Sequence, residues 1–596
     1  MDAYAIRDVI AAVTAGRLTR RAFVHTLVAL GVAAPLATDV LRSAGLAATR
    51  PAAPAFTPSR RGGGGRLRLL WWQAPVMLNP HFANGVKDVD ASRPVHEPLV
   101  SVDPDGNLVP VLAAEIPSVE NSRLAKDGTW VVWPLRKGVV WHDGTPFTAA
   151  DVVFNWEYAA DPATAAVSLG TYRDVERIER VDDHAVKVVF KAPTPFWYRT
   201  ALVDHIPKHG HGAWKGQRAR EAPHNLKPVG TGPYRVVDFR PGDAVRYEIN
   251  PHYHVASRPF FDHVELKGGG DAVSAARAVL QTGEFDFAWN VQVEDDVLRR
   301  LEQSGKGRVD IVPSGSIEHV SVNQTDPSRE VDGERSSVKA PHPVLTDPKV
   351  AAALTRLVDR AAVQTEIYGR QGQATGNFLN MPARYRSTAT RWEFDVDRAS
   401  QLLDEAGWAR GRDGVRVKDG RRLRLVLQTS QNAPRQKTQA IIKQAAAKAG
   451  IELELKSITP SVFFSSDPGN ADTVSRFSAD LQLYTVQMGA PDPQGFMEQF
   501  TSWEVAAKAN NWSRRNVTRL RDAEYDRLWK AAEHEMNPAV RAAHFIRMND
   551  RVVQRGVVIP ILWRNLVQAV GAKLRGVEIS GWDSNLSRLA YWYRDR

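Results

Sequence analysis

Apolar positions between residues 130 and 156 change from the spacing of a strand to the spacing of a helix. Trp130–Arg136 alternates enough to predict a strand, and Asp143-Gly144 is a turn pair. Thr148 stands three residues before Asp151, which is the spacing of a capping box at a helix start. This segment therefore predicts strand, strand, turn and helix in that order.

Strand and helix signals continue to alternate along the rest of the chain. Strands are predicted at 67–72, 234–239, 244–249, 264–267, 285–290, 423–428, 451–458, 481–486 and 557–563. Helices are predicted at 271–281, 347–361, 395–406, 435–449, 522–536 and 538–555. The strand–helix–strand order over 423–458 favours a parallel strand pair with a right-handed crossover. The pattern thus predicts two α/β regions and an insertion rich in strands.

Two arginines precede a modestly apolar stretch near the N-terminus. Arg20 and Arg21 are followed by the apolar run Leu27–Ala34, a pattern typical of a twin-arginine export signal. The run is shorter than the roughly 20 residues that a membrane-spanning helix needs. We interpret residues 1–50 as the signal region of an exported protein and the Pro-, Ala- and Gly-rich residues 51–65 as a flexible linker. An N-terminal amphipathic helix of a cytoplasmic protein is the alternative.

Composition narrows the class of protein. The 596 residues exceed what one core normally accommodates, so two or three domains are expected. The chain has no cysteine, which excludes disulfides, thiolate metal sites and a cysteine nucleophile. Its formal charge of +11 is spread along the sequence and forms no basic run with interleaved aromatic residues. We therefore expect no nucleic-acid partner.

Several short motifs occur in a fixed order over nearly the whole chain after residue 66. They are Glu97–Val100 with Asp105–Pro110, Leu135–Phe154, Gly230–Tyr234, Asn250–Tyr253, Leu357–Arg360 and Asp397–Trp408. Together they resemble the motifs of the extracellular solute-binding proteins of oligopeptide, dipeptide and nickel ABC importers (family 5). Leu135–Phe154 is similar to the family signature nearly residue for residue.

The resemblance implies an α/β fold, a two-lobed periplasmic-binding-protein-like clamp of type II with an extra inserted α+β domain. Its parts would be lobe 1 at 66–100, 225–320 and 553–596, the inserted domain at 101–224, and lobe 2 at 321–552. The chain would cross between the lobes near Val320–Asn323 and near Ile559–Trp563. Residues at such crossings can serve as a hinge.

The resemblance also implies a function and partners. The protein would be the substrate-binding subunit of an ABC importer that captures peptides or similar small solutes in the periplasm. Its partners would be the permease and the ATPase subunits, with membrane contact only through the permease. We expect a monomer without catalytic residues, without a cofactor and without a bound metal.

Three places are expected to line the ligand. The opening strand and its loop contribute Trp71, Trp72, Gln73, Asn79 and His81. The strand at the predicted crossing contributes Asn323 and Gln324, whose amides suit an extended ligand backbone. The loop after the strand at 481–486 contributes Gln487, Met488, Gly489, Asp492 and Gln494, because open α/β sheets bind ligands at strand ends. Indole rings offer a large apolar face with one N–H donor.

The third loop departs from the family pattern. In relatives that prefer a free amine, an acidic residue in this loop pairs with the amino terminus of the peptide. The matching position here is Gly489, and Asp492, the nearest carboxylate, is of a type that often serves the turn. The resemblance therefore leaves the usual ion pair with a peptide α-amine in doubt.

Other ligands and one other class of protein are alternatives. His209 with His211, and His252 with His254, have spacings that could hold nickel, although their loop-like sequence favours solvated side chains. Tryptophan-rich composition would also suit an oligosaccharide or an opine-like solute on the same fold. A secreted hydrolase is disfavoured because the sequence has no Gly-x-Ser-x-Gly elbow, no His-Glu-x-x-His and no Walker loop.

Overall fold

The computed structural model describes Val9, Ala12 and Thr26, and then residues 56–83, 85–464, 469–510, 512 and 514–595. The predicted export signal therefore lies outside the described residues except at three positions. None of the described helices is both long and apolar enough to cross a membrane.

The chain divides into two units. The first unit comprises Ala48–Pro313 and Leu566–Arg596, and the second comprises Ser314–Asn565 together with Met1–Ala47. The chain thus passes between the units at Pro313–Ser314, six residues before the crossing expected at Val320–Asn323, and at Asn565–Leu566, just after the one expected at Ile559–Trp563. The finer division into lobe 1, an inserted domain and lobe 2 stays a prediction.

The elements up to residue 322 build the first unit and the start of the second. The strands are β1 (Arg66–Trp71), β2 (Val100–Val102), β3 (Leu108–Pro110), β4 (Trp130–Pro134), β5 (Val175–Asp182), β6 (Ala185–Phe190), β7 (Tyr234–Arg240), β8 (Ala244–Ile249), β9 (His263–Gly268), β10 (Phe287–Ala288) and β11 (Gly307–Val322). The helices are α1 (Val86–Ser92), α2 (Ala149–Ala160), α3 (Lys208–His211), α4 (Ala272–Leu280) and α5 (Asp295–Glu302). Short 3₁₀ turns connect many of them.

The remaining elements complete the second unit and return to the first. The strands are β12 (Glu330–Val331), β13 (Glu334–Arg335), β14 (Gly372–Ala374), β15 (Ala409–Arg410), β16 (Arg416–Lys418), β17 (Arg421–Arg422), β18 (Arg424–Ser430), β19 (Glu452–Ile458), β20 (Leu481–Met488), β21 (Val558–Gly571), β22 (Leu574–Arg575) and β23 (Tyr593–Arg594). The helices are α6 (Pro348–Arg356), α7 (Arg360–Val363), α8 (Val396–Glu405), α9 (Ala433–Ala449), α10 (Pro460–Phe463), α11 (Gln494–Met497), α12 (Ala523–His534) and α13 (Pro538–Gln554).

The main sheet of the first unit has β1 near its centre. Its order is β7-β8-β9-β1-β10, with β1 parallel to both neighbours, and β10 pairs with the end of β21. A strand between two parallel neighbours is covered on both faces, and β1 accordingly buries Leu67, Leu69, Leu70 and Trp71. The strand predicted at 285–290 is confirmed only at Phe287–Ala288.

Residues 99–203 have a hydrophobic core of their own within the first unit. The sheet β4-β6-β5 packs there with α2 around Trp133, Trp141 and Phe147. The predicted capping box is confirmed, since Thr148 and Asp151 exchange hydrogen bonds at the start of α2. The second strand predicted before the turn is wrong, because Val140 makes only an isolated bridge with Pro146.

The sheet of the second unit continues the α/β pattern. Its order is β19-β18-β20-β11-β21, with β14 also on β21. The predicted unit at 423–458 is confirmed as β18, α9 and β19, with the two strands parallel. Gly450 ends α9 with φ +86°, a conformation that favours glycine. β11 is antiparallel to β20, and Val322 lies opposite Leu481 while Gly315 lies opposite Met488.

The segment expected to be a linker is packed against the first unit from residue 56 onward. Phe56 stacks on Tyr593 at 4.2 Å between ring centroids. The backbone N–H groups of Gly63 and Gly65 each donate to the Asp262 carboxylate at 2.8 Å. Residues 56–65 are therefore held by contacts with the first unit. Glycine suits the two positions, because side chains there would crowd the shared carboxylate.

The motifs that carry the family resemblance meet in one buried network of the first unit. Glu97 accepts a hydrogen bond from Thr231 at 2.9 Å and from the Tyr253 hydroxyl at 3.1 Å, and His254 Nε2 lies 3.0 Å from the same carboxylate. Burial would raise the pKa of Glu97, but His254 and these donors hold it below its ordinary value. Residues of separate motifs thus form hydrogen bonds with one another inside the protein.

Gly230 and His142 connect two of these motifs. His142 N donates to the Gly230 carbonyl at 2.8 Å, and Gly230 N donates to His142 Nδ1 at 3.2 Å. A Cβ on Gly230 would stand 1.8 Å from the Val95 carbonyl oxygen. The close approach of these two backbones therefore requires glycine.

Replacement of Gly230 by alanine tests this contact. Gly230→Ala should lower the free energy of unfolding by about 3 kcal/mol, because the backbone at Val95 has to move. Chemical denaturation measures the change. Gly170→Ala is the control, since a Cβ there meets no atom within 4 Å, and it should stay within about 0.5 kcal/mol of the wild type. Equal stabilities of the two variants would contradict the packing described here.

Buried histidines are a second feature of the first unit. Burial lowers the pKa of His81 and His142 to about 4, and that of His96, His205 and His211 to about 3. These side chains are neutral in the folded protein at neutral pH, whereas an exposed histidine has a pKa near 6.5.

Two buried carboxyl groups bind protons more strongly in the folded chain than in the unfolded chain. Burial raises the pKa of Asp90 to about 6 and, despite the Arg93 guanidinium 2.9 Å away, that of Asp204 to about 7. At pH 5 the folded chain binds these two protons, while the unfolded chain binds the five protons of the histidines. The unfolded chain therefore takes up more protons as the pH falls below 6.5.

Stability should consequently fall on acidification. The free energy of unfolding should decrease between pH 6.5 and pH 4, and these seven groups contribute up to about 4 kcal/mol per pH unit to the slope through a net uptake of about three protons. Denaturation at a series of pH values measures the slope. His205→Asn should reduce it, and His252→Asn, at an exposed position, should leave it unchanged. A flat profile between pH 7 and pH 5 would contradict the neutral state of these histidines.

Candidate functional site

A buried carboxylate with two guanidinium groups lies in the second unit. Glu318 is on β11, Arg564 on β21 and Arg435 in the first turn of α9, whose N-cap is Asn432. Glu318 has no exposed surface, while Arg435 and Arg564 each expose 8 %. Two strands of one sheet and a helix thus bring together charges that are far apart in sequence.

The contacts of Glu318 use both carboxylate oxygens. Arg435 Nε donates to Oε1 at 2.8 Å, and the Thr485 hydroxyl donates to Oε2. Arg564 Nη1 lies 3.4 Å from Oε2 and donates to Thr485 Oγ1 at 3.0 Å. Burial alone would raise the pKa of Glu318, but Arg435 and then Arg564 hold it below its ordinary value. The carboxylate is ionised and fully paired.

The two arginines differ in how many of their donors are used. Arg435 also donates from Nη1 to Ser430 at 2.8 Å and from Nη2 to Thr485 at 3.0 Å. Arg564 has its guanidinium carbon 5.4 Å from the centre of the Tyr368 ring. Within the part of the chain that the structure describes, its Nε and Nη2 atoms meet no hydrogen-bond acceptor.

The predicted loop begins where β20 ends, on the strand that carries Thr485. Gln487 and Gly489 are exposed, whereas Met488 is buried. A Cβ on Gly489 would meet no atom within 4 Å, so the position is open to a side chain. Alternation along the strand places Thr485 and Gln487 on the same face.

Asp492 holds this loop from within. Its carboxylate forms an ion pair with Arg541 on α13, with Nη2 2.9 Å from Oδ1, and also accepts from the Gln494 backbone N–H at 2.9 Å. Arg541 Nη2 lies 3.4 Å from Gln494 Oε1 as well. Asp492 therefore has the turn role that the family resemblance implies, and its charge is already paired.

The two tryptophans of the opening strand differ in exposure. Trp71 is fully buried, donates to Asp90 at 3.1 Å and stacks on Trp289, so it is a core residue of the first unit. Trp72 is half-buried and donates to the Asn290 carbonyl at 3.0 Å. Gln73, which follows, is exposed.

Asn79 and His81 are interior residues of the first unit. Asn79 donates to Asn225 at 2.8 Å. His81 Nε2 lies 2.9 Å from Asn155 Oδ1, and its Nδ1 lies 2.7 Å from the Ser168 hydroxyl. Both residues have at most 1 % of their surface exposed. Their hydrogen bonds link segments that are distant in sequence.

Asn323 and Gln324 lie away from the loop at Gly489. Asn323 is buried and donates to Ser336 and to the carbonyls of Phe477 and Ala479 at 3.0–3.1 Å. It follows the end of β11 that pairs with Leu481, roughly 23 Å along the strand from the end that pairs with Met488. The residues of β11 nearest the loop are Gly315 and Ser316, which lie opposite Met488 and Gln487.

The sequence analysis missed Glu318, Arg435 and Arg564. The available signal is an acid, Glu318, in a strand-like segment whose other residues are apolar or uncharged polar side chains and a histidine, because a buried carboxylate needs a cation. The partners could not be paired from sequence, since Arg435 and Arg564 lie 117 and 246 residues away.

In each histidine pair considered for metal binding, one side chain is exposed as expected, namely His209 and His252, and the other is not. His211 is buried, and the His254 side chain is 5 % exposed beside Glu97. His209 is exposed and its Nε2 lies 2.7 Å from Asp143. Among the described residues, no group of three or more His, Asp or Glu side chains is placed to hold a metal ion.

Two substitutions in the same loop should differ strongly in their effect on stability. Gly489→Asp should change the free energy of unfolding by no more than about 0.5 kcal/mol, because the position is open. Asp492→Ala should lower it by about 3 kcal/mol, because it leaves the Arg541 guanidinium buried without its partner. Urea denaturation compares the two. A larger loss for Gly489→Asp than for Asp492→Ala would contradict this account of the loop.

Comparison with known proteins agrees with the motifs. The model of "Bacterial extracellular solute-binding proteins, family 5 Middle" matches residues 107–507. Protein XP55 of Streptomyces lividans is 28 % identical over 466 residues, which cover 77 % of this chain and 79 % of that protein. The glutathione-binding protein GsiB of Escherichia coli K12 is 24 % identical over 511 residues, covering 84 % and 89 %.

A solved structure shows the same fold. The oligopeptide-binding protein AppA of Bacillus subtilis, in complex with a nonapeptide, superposes with a TM-score of 0.69 and 22 % identity, covering 90 % of this chain and all of that one. The predicted α/β fold class is therefore confirmed. This chain belongs to family 5 of the bacterial extracellular solute-binding proteins.

Proposed function

We propose that this protein is the substrate-binding subunit of an ABC importer and that it captures peptides or similar small solutes for delivery to a permease. The observation that carries the proposal is the family match over residues 107–507, together with the same fold in a protein that holds a nonapeptide. GsiB, a relative of similar length coverage, is a glutathione-binding protein. A peptide-like ligand is the chemistry that these relatives have in common.

Binding rather than catalysis is the role that we expect. The buried ion pairs of the second unit, Glu318 with Arg435 and Asp492 with Arg541, hold strands and a loop in place. A general acid or base would need a titratable group directed at a substrate, with a pKa near the working pH. Glu318 has a lowered pKa and both of its oxygens occupied, which suits a structural role.

The loop after β20 lacks the acid that, in the family resemblance, pairs with the amino terminus of a peptide. The position of the family's amine-pairing acid is Gly489, and Asp492 is held by Arg541. A free ammonium group would therefore gain no ion pair from this loop. We expect N-acetylated and free peptides of the same sequence to bind with similar affinity.

The route and place of action follow from the N-terminal sequence. Arg20 and Arg21 before an apolar run support export by the twin-arginine route and action in the periplasm. The residues from 56 onward that pack on the first unit support a mature chain that begins near residue 50. A monomer suits a protein that docks on a permease.

A thermal-shift screen of the purified protein tests the proposal. Peptide pools, a nickel–histidine chelate and oligosaccharides are added separately. A ligand at one hundred times its Kd adds about 2.7 kcal/mol to the free energy of unfolding, which raises the Tm measurably. We expect a shift with peptides, equal for free and acetylated forms.

Other results have distinct meanings. A shift with the nickel chelate or the sugars alone would replace the peptide by that solute and keep the importer role. A shift with free peptides that is lost on acetylation would contradict the role given to Gly489. Turnover of any of these compounds would contradict the binding role itself.

A further inference from the structure

We infer that Arg564, supported by Arg435 and Glu318, forms a subsite in the second unit for a carboxylate group of the captured solute. This inference rests on the proposed function and specifies the chemistry of its ligand. It concerns residues to which neither the motifs nor the comparisons give a role.

The first argument is the charge of the cluster. Two guanidinium groups surround one carboxylate, so Glu318, Arg435 and Arg564 together carry one net positive charge. The cluster is largely removed from water, since Glu318 is fully buried and each arginine exposes 8 %. An excess charge in such a place attracts an anion more strongly than a charge in bulk water does.

The second argument is the geometry of the unused donors. Every nitrogen of the Arg435 guanidinium donates within the cluster, to Glu318, Ser430 and Thr485. On Arg564 only Nη1 is used. Its Nε and Nη2 lie on one edge of the guanidinium plane, and that edge presents two parallel N–H groups that match the two oxygens of a carboxylate.

The third argument is that the side chain is held in place. Arg564 is fixed by the contact of Nη1 with Thr485 and by the face of the Tyr368 ring at 5.4 Å. A donor that is already oriented loses little side-chain entropy when it binds. Glu318 cannot accept a ligand cation instead, because both of its oxygens are taken up by Arg435, Thr485 and Arg564.

The fourth argument is the neighbouring loop. Thr485 contacts both arginines, and the exposed Gln487 follows on the same face of β20 before the open position at Gly489. A ligand placed along this edge would meet a positive charge at Arg564 and no acid at Gly489. This arrangement favours a solute with a free carboxylate and a blocked or absent amine.

Paired ligand pools test the subsite in the full-length protein. Three pools of the same tetrapeptides are prepared as free acids, as N-acetylated acids and as N-acetylated C-terminal amides. A fourth set contains small organic acids and their amides, which distinguishes a peptide carboxylate from that of another solute. We expect the acids of one class to bind at least ten-fold more tightly than the matching amides in calorimetric titrations.

The variant Arg564→Gln tests whether Arg564 is the residue that binds the carboxylate. It should weaken binding of the acids at least ten-fold and leave binding of the amides unchanged, because only the acids use the guanidinium edge. Glu318 keeps Arg435 in this variant, and its Tm shows whether the fold is intact. Arg398→Gln on α8, whose side chain pairs with Glu405 at the surface, removes the same charge and should leave both affinities unchanged.

The outcomes separate this inference from the proposed function. Equal affinity for acids and amides, or an equal loss of both in Arg564→Gln, would overturn the subsite while the protein still binds solutes. Binding of sugars alone would overturn the subsite and retain an importer for a neutral solute. Absence of binding in every pool would count against both.

Discussion

A carboxylate that loses contact with water has to be met by cations or hydrogen-bond donors, and a buried glutamate in each of the two units shows how this is done. Glu97 in the first unit is met by Thr231, Tyr253 and His254, and Glu318 in the second is met by two arginines and a threonine. Removing one partner of a buried pair costs about 3–5 kcal/mol. The positions of the surrounding strands are constrained by these groups.

The two buried carboxylates have different consequences. Around Glu97 the donors come from the family motifs, and the network is closed within the first unit. Around Glu318 the cations outnumber the anion, and one edge of Arg564 is left open. The motifs therefore identify the scaffold, whereas the carboxylate subsite that we propose uses residues outside them.

The loop after β20 separates a position that holds the fold from a position that is open to a side chain. Asp492 and Arg541 fix the loop at its base, so the position at Gly489 can vary without loss of the fold. Because Gly489 offers no carboxylate, the proposal expects no preference for a free amine. Together with Arg564 this shifts the expected preference from the amino end to the acidic end of a solute.

Elements with strong local signals were predicted well from the sequence. β7 and β8 around their turn, the capping box of α2 and the order β18, α9, β19 depend on periodicity and caps that lie within a few residues. β10 is shorter than predicted, and the strand before Asp143 is absent from the described residues, because short apolar runs do not specify their partners.

Contacts over long sequence distances could not be predicted. The linker glycines were expected to be flexible because their acceptor, Asp262, lies about two hundred residues away. Trp71, Asn79 and His81 were expected at the ligand because their residue types suit binding, but the same donors and rings serve equally well in a core. The Glu318 cluster was missed for the same reason.

The most direct test is to identify the solute that the protein carries in its own cells. The protein is purified under native conditions, denatured, and the released small molecules are analysed by mass spectrometry. The account predicts a compound in near-stoichiometric amount that bears a free carboxylate, with a peptide as the first expectation. A neutral or purely cationic solute in that amount would contradict it.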